Sequence, residues 1–174
     1  MDEATEQDLR RMLDVREIER LIMRWARAVD RLDKRELASV YHRDAVEHHG
    51  TFDGPADEYV DFVIDTALPN YISTSHYVTN CLVEVDGDRA HAESFVLAAH
   101  LRDDAGSHVL DLMNARLVDR LERRDGHWRI VERTVVHDWD MTQPIESVER
   151  WQNVFEPGRR GLQDFSYSVL SAGS

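Results

Sequence analysis

Residues 83–133 read VEVDGDRAHAESFVLAAHLRDDAGSHVLDLMNARLVDRLERRDGHWRIVER, and their punctuation decides the fold. Three turn signals, Asp86-Gly87-Asp88, Asp103-Asp104-Ala105-Gly106 and Arg124-Asp125-Gly126, cut strand-like sequence into segments of hairpin length. The spacing predicts strands over 75–86, 89–102, 107–122 and 127–139. Consecutive strands joined by tight turns make an antiparallel meander.

Upstream of the meander the period changes. Leu9, Met12, Val15, Ile18, Leu21, Ile22, Trp25, Ala26 and Val29 recur at steps of three and four, which predicts an amphipathic helix over 5–31. Asp30 follows the last apolar position and lies one turn from Ala26, an unusual place for a carboxylate. Asp33 with Glu36 forms a capping box for a second helix over 33–42. Residues 45–49 read as a short strand and 51–55 as a turn. A third helix over 56–68 starts behind Pro55 and stops at Pro69. After Pro144 a short helix is expected over 145–155, then a loop at Pro157-Gly158. Helices followed by a meander imply an α+β fold, with the long helix on one face of a curved antiparallel sheet. Such a pair encloses a cone-shaped space suited to a pocket. The 174 residues are expected to form one domain, core about 8–142 and C-terminal extension 143–174.

Charge narrows the function. Twenty-one Lys and Arg against 34 Asp and Glu give a formal charge of −13, which speaks against nucleic acid and anionic membranes as partners. No apolar run approaches the ~20 residues of a membrane span, and the acidic, polar start is unlike a secretory signal, so a cytoplasmic location is expected. Cys81, the single cysteine, sits in an apolar strand pattern and reads as a small buried hydrophobe. His48 and His49 are adjacent and would point to opposite faces of a strand, so they cannot easily share one ion; no metal is expected. His100 lies in the apolar strand VLAAHL. By alternation, Arg133 shares a face with Val131 and Val135, opposite Ile130 and Glu132. Trp25, Tyr41, Tyr77, Asn114, Asp111 and Trp139 are further candidates to line a pocket.

The segments RWARAVDRLD, YHRDAVEHHGTFDGP, TSHYVTN and LERRDGHWRIVER, in this order, resemble the SnoaL-like group of the nuclear-transport-factor-2-like superfamily, a cone-shaped α+β barrel. The resemblance spans roughly residues 8–165 and is similar to the hexachlorocyclohexane dehydrochlorinase, scytalone dehydratase and bile-acid 7α-dehydratase group. It implies that Asp30 and His76 form a dyad. A carboxylate accepting the Nδ1–H would fix the tautomer and stabilise the imidazolium formed when His76 removes a proton. It further implies that Arg133, five residues after Trp128, steadies charge or a leaving group, and that His100 donates a proton to a departing hydroxyl or anchors substrate. One position departs from the dehydrochlorinase: its Lys five residues before the Asp is Trp25 here, which favours dehydration or isomerisation over chloride loss.

The expected function is a cofactor-independent lyase (dehydratase) or isomerase acting on a small, mostly apolar cyclic molecule. His76, Asp30, Arg133 and His100 are the catalytic set, and Trp25, Tyr41, Tyr77 and Asn114 bind substrate. Alternatives are a non-catalytic binding or accessory module of the same fold, and a polyketide-type cyclase or hydroxylase. The exposed face of an open sheet and the resemblance imply a homo-oligomer, with a trimer favoured over a dimer.

Overall fold

A computed structural model describes residues 1–146 and 154–170. A long helix α1 (Glu3–Arg31) leads to a short α2 (Lys34–Ser39), strands β1 (Tyr41–His49) and β2 (Phe52–Pro55), and helix α3 (Ala56–Phe62). Four long strands follow: β3 (Ser73–Asp86), β4 (Arg89–Asp104), β5 (Ser107–Arg124) and β6 (His127–Ile145). A one-turn helix α4 (Ser166–Val169) lies near the end. The strands form one sheet in the order β2-β1-β6-β5-β4-β3. The meander β3 to β6 is antiparallel, as its turns require, and Asp125 and Gly126 both take the positive φ of a tight hairpin turn. The sheet as a whole is mixed rather than antiparallel, because β1 runs parallel to β6.

Helix α1 packs on β3 and β6. Its buried stripe is Ile18, Leu21, Ile22, Trp25, Ala26, Ala28 and Val29. Fully burying a side chain such as Ile18 or Ile22 contributes about 1.5–3 kcal/mol. The stripe stops short of the predicted one: Leu9 and Met12 are exposed, because the first turns of α1 project past the sheet. Asp14 marks the crossing point, accepting from Trp128 Nε1 at 2.9 Å and Arg123 Nη1 at 2.6 Å. At its far end α1 stops at Leu32, in the left-handed conformation (φ 52°), whose N–H turns back to the Ala28 and Val29 carbonyls.

Local differences from the expected elements have physical causes. The predicted second helix ends early, at Ser39, because Tyr41 and His42 enter β1. The predicted turn over 51–55 contains strand β2, paired with β1 from Val46–Pro55 to His49–Phe52. The third helix is α-helical only to Phe62, then widens into a π-turn over Val63–Ala67 and tightens over Leu68–Asn70 around Pro69. The helix expected over 145–155 falls largely on 147–153, outside the described residues. In β6 the register against β5 shifts between Arg120–Glu132 and Leu121–Ile130, leaving Val131 as a bulge. Arg133 and Ile130 therefore share the inward face, both fully buried, and the simple alternation expected for this strand is broken.

The chain beyond the sheet returns to the end of α1. Arg27 Cζ stacks 4.0 Å over the Tyr167 ring, Arg31 Nε lies 3.3 Å from Asp164, and Tyr167 donates to Asp33 Oδ2 at 2.7 Å. Asp33 also caps α2 by accepting from the Glu36 N–H at 3.0 Å. Asp33→Ala is therefore expected to cost about 1 kcal/mol for the cap and to speed proteolysis of residues 154–170. Asp33→Asn should retain most of the stability. Urea denaturation and limited proteolysis of the two variants check both effects.

Candidate active site

The strand register sorts inward from outward side chains. His76 pairs with Ala98 and Ala98 with Met113, while Thr74 pairs with His100 and His100 with Asp111. Directly paired residues share a face, so Thr74, His76, His100, Asp111 and Met113 line the side on which the fully buried Ala98 lies. Tyr77 and Asn114 alternate to the opposite face. Tyr77 is 56% exposed, and Asn114 donates to Asp138 at 3.3 Å beside Arg116, which bonds the same carboxylate. Trp139 pairs with Asn114 on that face and is exposed. These three expected pocket residues do not reach the site.

Asp30 and His76 come together. His76 Nδ1 donates to Asp30 Oδ1 at 2.7 Å, and the backbone N–H of His76 donates to Asp30 Oδ2 at 2.9 Å. Both side chains are nearly buried, at 8% exposure for His76 and 13% for Asp30. An Nδ1–H given to the carboxylate leaves the Nε2 lone pair of a neutral ring available as a base. The His100 ring lies 5.3 Å from the His76 ring and 4.7 Å from the Tyr71 ring. Burial, assisted by His76, pushes the His100 pKa down to about 4, so at neutral pH it is an uncharged imidazole. It can offer one hydrogen bond to a substrate and is a poor source of a full proton, which revises the role expected for it.

Trp25 separates the pair from a deeper ionic layer. Its ring meets His76 edge-on at 5.6 Å, and Arg133 Cζ lies 4.5 Å over it. Arg133 is fully buried and bonds Asp119 through Nε at 2.6 Å and Nη2 at 2.7 Å. Burial works against its charge, but Asp119, Tyr41 and Glu47 outweigh that and hold its proton above the ordinary arginine value. Arg133 is thus an internal ion pair beneath Trp25. Glu47 pairs with it across β1 and β6, and accepts from Tyr41 at 2.9 Å and from His49 Nδ1 at 3.0 Å. Tyr41 belongs to this layer. His48 turns the other way, to Asp53 at 2.8 Å, as adjacent strand residues must. Among the described residues no group of three or more His, Cys, Asp and Glu side chains is arranged to hold a metal ion.

Sequence reasoning missed Glu47, Asp119, Tyr71 and Arg160. Glu47 carried a signal: it alternates with Ala45 and His49 and so shared their inward face. Asp119 alternates with Leu117 and Leu121, both buried, in the same way. Tyr71 and Arg160 lie in loops with no period to read. Two open clefts, of about 700 Å³ along Asp8–Glu19 of α1 and about 390 Å³ between Tyr41 and Val60, lie away from the dyad.

The SnoaL-like domain family matches residues 10–134. A γ-hexachlorocyclohexane dehydrochlorinase of Sphingobium indicum is 31% identical over 110 residues, covering 61% of this chain and 69% of that one. Among solved structures, a hexachlorocyclohexane dehydrochlorinase of Novosphingobium barchaimii superposes with TM-score 0.69 at 24% identity, over 81% of this chain and 96% of that one. A scytalone dehydratase-like protein of Novosphingobium aromaticivorans does so with TM-score 0.65 at 23% identity, over 79% and 91%.

Two measurements test the site as described. The unfolded chain binds a proton at His100 near pH 6.5 that the folded protein excludes down to about pH 4. His100 therefore contributes in full above about pH 6.5, and that contribution disappears as pH falls toward 4, a swing of about 3 kcal/mol. Urea midpoints across this range should fall steeply in the parent, and less steeply in His100→Gln. Asp119→Ala should cost about 3–5 kcal/mol by stranding the buried Arg133 charge, which the same denaturation experiment reads.

Proposed function

The chain belongs to the SnoaL-like domain family, and from that premise we propose that it is a cofactor-independent lyase working through Asp30 and His76. The observation that carries this reading is the bidentate grip of Asp30 on His76, 2.7 Å to the ring and 2.9 Å to the backbone N–H. It orients an imidazole on the inward face, its ring 5.3 Å from that of the neutral His100. The dehydrochlorinase relative and the fold shared with a scytalone dehydratase-like protein support a β-elimination.

In that reaction His76 Nε2 takes a proton from a carbon. The electrons of the broken C–H bond form a carbon–carbon double bond, and the leaving group on the neighbouring carbon departs with its own bonding pair. Asp30 stabilises the imidazolium through its contact with Nδ1–H, without itself becoming protonated. A departing hydroxyl takes up the proton to leave as water, with the His76 imidazolium as its source and the His100 N–H as a hydrogen-bond donor. Trp25 against His76, Tyr71 against His100 and Met113 on the same sheet face add apolar surface, which suits a small cyclic substrate. Loss of a hydroxyl fits the site better than loss of chloride, because Trp25 occupies the position of the expected Lys. The non-catalytic reading has two supporting observations, the modest exposure of the pair and the location of the two open clefts elsewhere.

The experiment is turnover of γ-hexachlorocyclohexane and of scytalone in deuterated buffer, followed by chloride release, mass spectrometry and solvent deuterium uptake. Elimination or exchange is expected with at least one of them. His76→Ala should lower that rate by about 10²–10⁴. Asp30→Asn should lower the rate while leaving KM nearly unchanged. Full turnover by His76→Ala would sink the proposal.

A further inference from the structure

The C-terminal segment beyond the family match brings a cation, Arg160, to the loop that leads into β3. The contacts that dock it to the end of α1, from Arg27, Arg31 and Asp33, flank Asp30 on either side in sequence. Asp164 holds the segment in shape: its carboxylate accepts from the Arg159 N–H at 3.0 Å, the Ser166 N–H at 3.0 Å and the Ser166 hydroxyl. These bonds, the Arg159 N–H above all, hold its carboxyl well below the usual range. Arg160 leaves this turn and crosses to the loop on the other side of the site, where Nη1 donates to the Leu68 carbonyl at 2.8 Å. That loop continues into Tyr71, whose ring contacts His100. The guanidinium thus ties the segment docked on the end of α1 to the loop that leads into β3.

Only part of its donor capacity is used. Arg160 Nε and Nη2 are buried and have no hydrogen-bond partner. Burial lowers the proton affinity of the group, and the charge of Asp30 acts in the opposite direction. Anchoring a tail needs one bond to Leu68. It does not need two further donors taken out of water and left unpaired, which is unfavourable. A planar fork with free, parallel N–H groups matches a carboxylate or an enolate-type oxygen.

We infer that Arg160 is the anion-binding residue of the dyad site, holding a carboxylate or the carbonyl oxygen that gains negative charge as the carbon loses its proton. This rests on the reading of Asp30 and His76 as the proton-transfer pair, and it specifies the substrate class: a cyclic molecule with an acidic or carbonyl oxygen next to the reacting carbon. It also supplies, from the C-terminal segment, a cation in a site whose helix position 25 holds Trp.

The test is binding of cyclohexanecarboxylate and of its neutral analogue cyclohexanecarboxamide to the full chain, by titration calorimetry and by the imidazole NMR signals of His76. The parent protein is expected to bind the carboxylate at least tenfold more tightly than the amide. Arg160→Gln should abolish that preference, and Arg160→Lys should retain part of it. His76→Ala should keep the preference, so a failure of the dyad as a catalyst and a failure of Arg160 as an anion site are told apart. Tyr167→Phe loosens the same segment without touching the guanidinium and should also keep it. No carboxylate preference in the parent, an unchanged preference in Arg160→Gln, or an equal loss in Tyr167→Phe would each overturn the inference.

Discussion

Asp30 is a clamp before it is anything else. One carboxylate oxygen accepts the His76 ring N–H and the other accepts the His76 backbone N–H, so a helix end and a strand start are joined through a single side chain. A carboxylate bonded to two N–H groups exchanges its hydration for charge-assisted bonds, which offsets the cost of near-burial. The clamp sets where α1 lies on β3. That in turn places Trp25 against His76 and turns the last residues of α1 toward the segment bearing Arg160. Substituting Asp30 therefore disturbs both the protonation and the position of His76. Asn preserves the acceptor for one of the two N–H groups and is the more informative replacement.

Beneath the clamp lies a second electrostatic layer. Arg133 and Asp119 are both essentially unexposed, and Glu47 joins them without a fully buried cation of its own. Glu47 is supported instead by hydrogen bonds from Tyr41 and His49. Burial, reinforced by Glu47, drives the Tyr41 phenol pKa well up, so it remains a donor. Trp25 lies between this layer and the dyad. One side of its ring takes the Arg133 guanidinium at 4.5 Å, an attraction of about 0.5–2 kcal/mol. A lysine at that position would bring a second cation toward Arg133 at short range. The Trp and the buried Arg are thus mutually consistent choices, and the site's available cation comes from elsewhere in the chain.

The legible parts of the structure are those set by local pattern. Asp86-Gly87, Ala105-Gly106 and Asp125-Gly126 mark the hairpins, because a tight reversal needs residues that tolerate positive φ. The α1 stripe is readable because 3.6-residue periodicity is a direct consequence of burying one face. Sidedness within strands is harder. The bulge at Val131 moves Arg133 onto the face of Ile130, and nothing in the local sequence announces it. Tyr77 and Asn114 were aromatic and amide candidates on residue type alone, and the register with His76 and Met113 sends them outward. The Asp30–His76 pairing spans 46 residues, and period alone placed its two members only on separate elements. Family resemblance joined them. Arg160 is legible from neither source: no period surrounds it, and although the resemblance reaches roughly residue 165, none of the segments that carry it includes position 160, which also lies beyond the matched residues 10–134.

The distribution of unpartnered polar atoms says what kind of surface the inward face is. Buried atoms without a hydrogen-bond partner include Trp25 Nε1, Thr74 Oγ1, His100 Nε2 and Arg160 Nε and Nη2. Trp25 and His100 each make ring contact with His76, Thr74 pairs with His100 across the strands, and Arg160 feels the charge of Asp30. A core built only for packing disfavours such atoms, because each one forfeits hydration without return. Arg31 Nε, Tyr59 Oη, Ser94 Oγ and Arg133 Nη1 lack a hydrogen-bond partner as well, so the feature is not confined to this face, but the atoms nearest His76 are the ones that a polar ligand there would satisfy. Tyr71, Met113 and the Trp25 ring add apolar surface to this face, which is what the mostly apolar substrate proposed above requires. Donors outnumber acceptors among the unpartnered groups, since the indole and guanidinium nitrogens can only donate. A ligand complementary to these donors is rich in acceptors at the end that meets them, and with a net charge of −13 the chain would hold it through local donors rather than through its overall field.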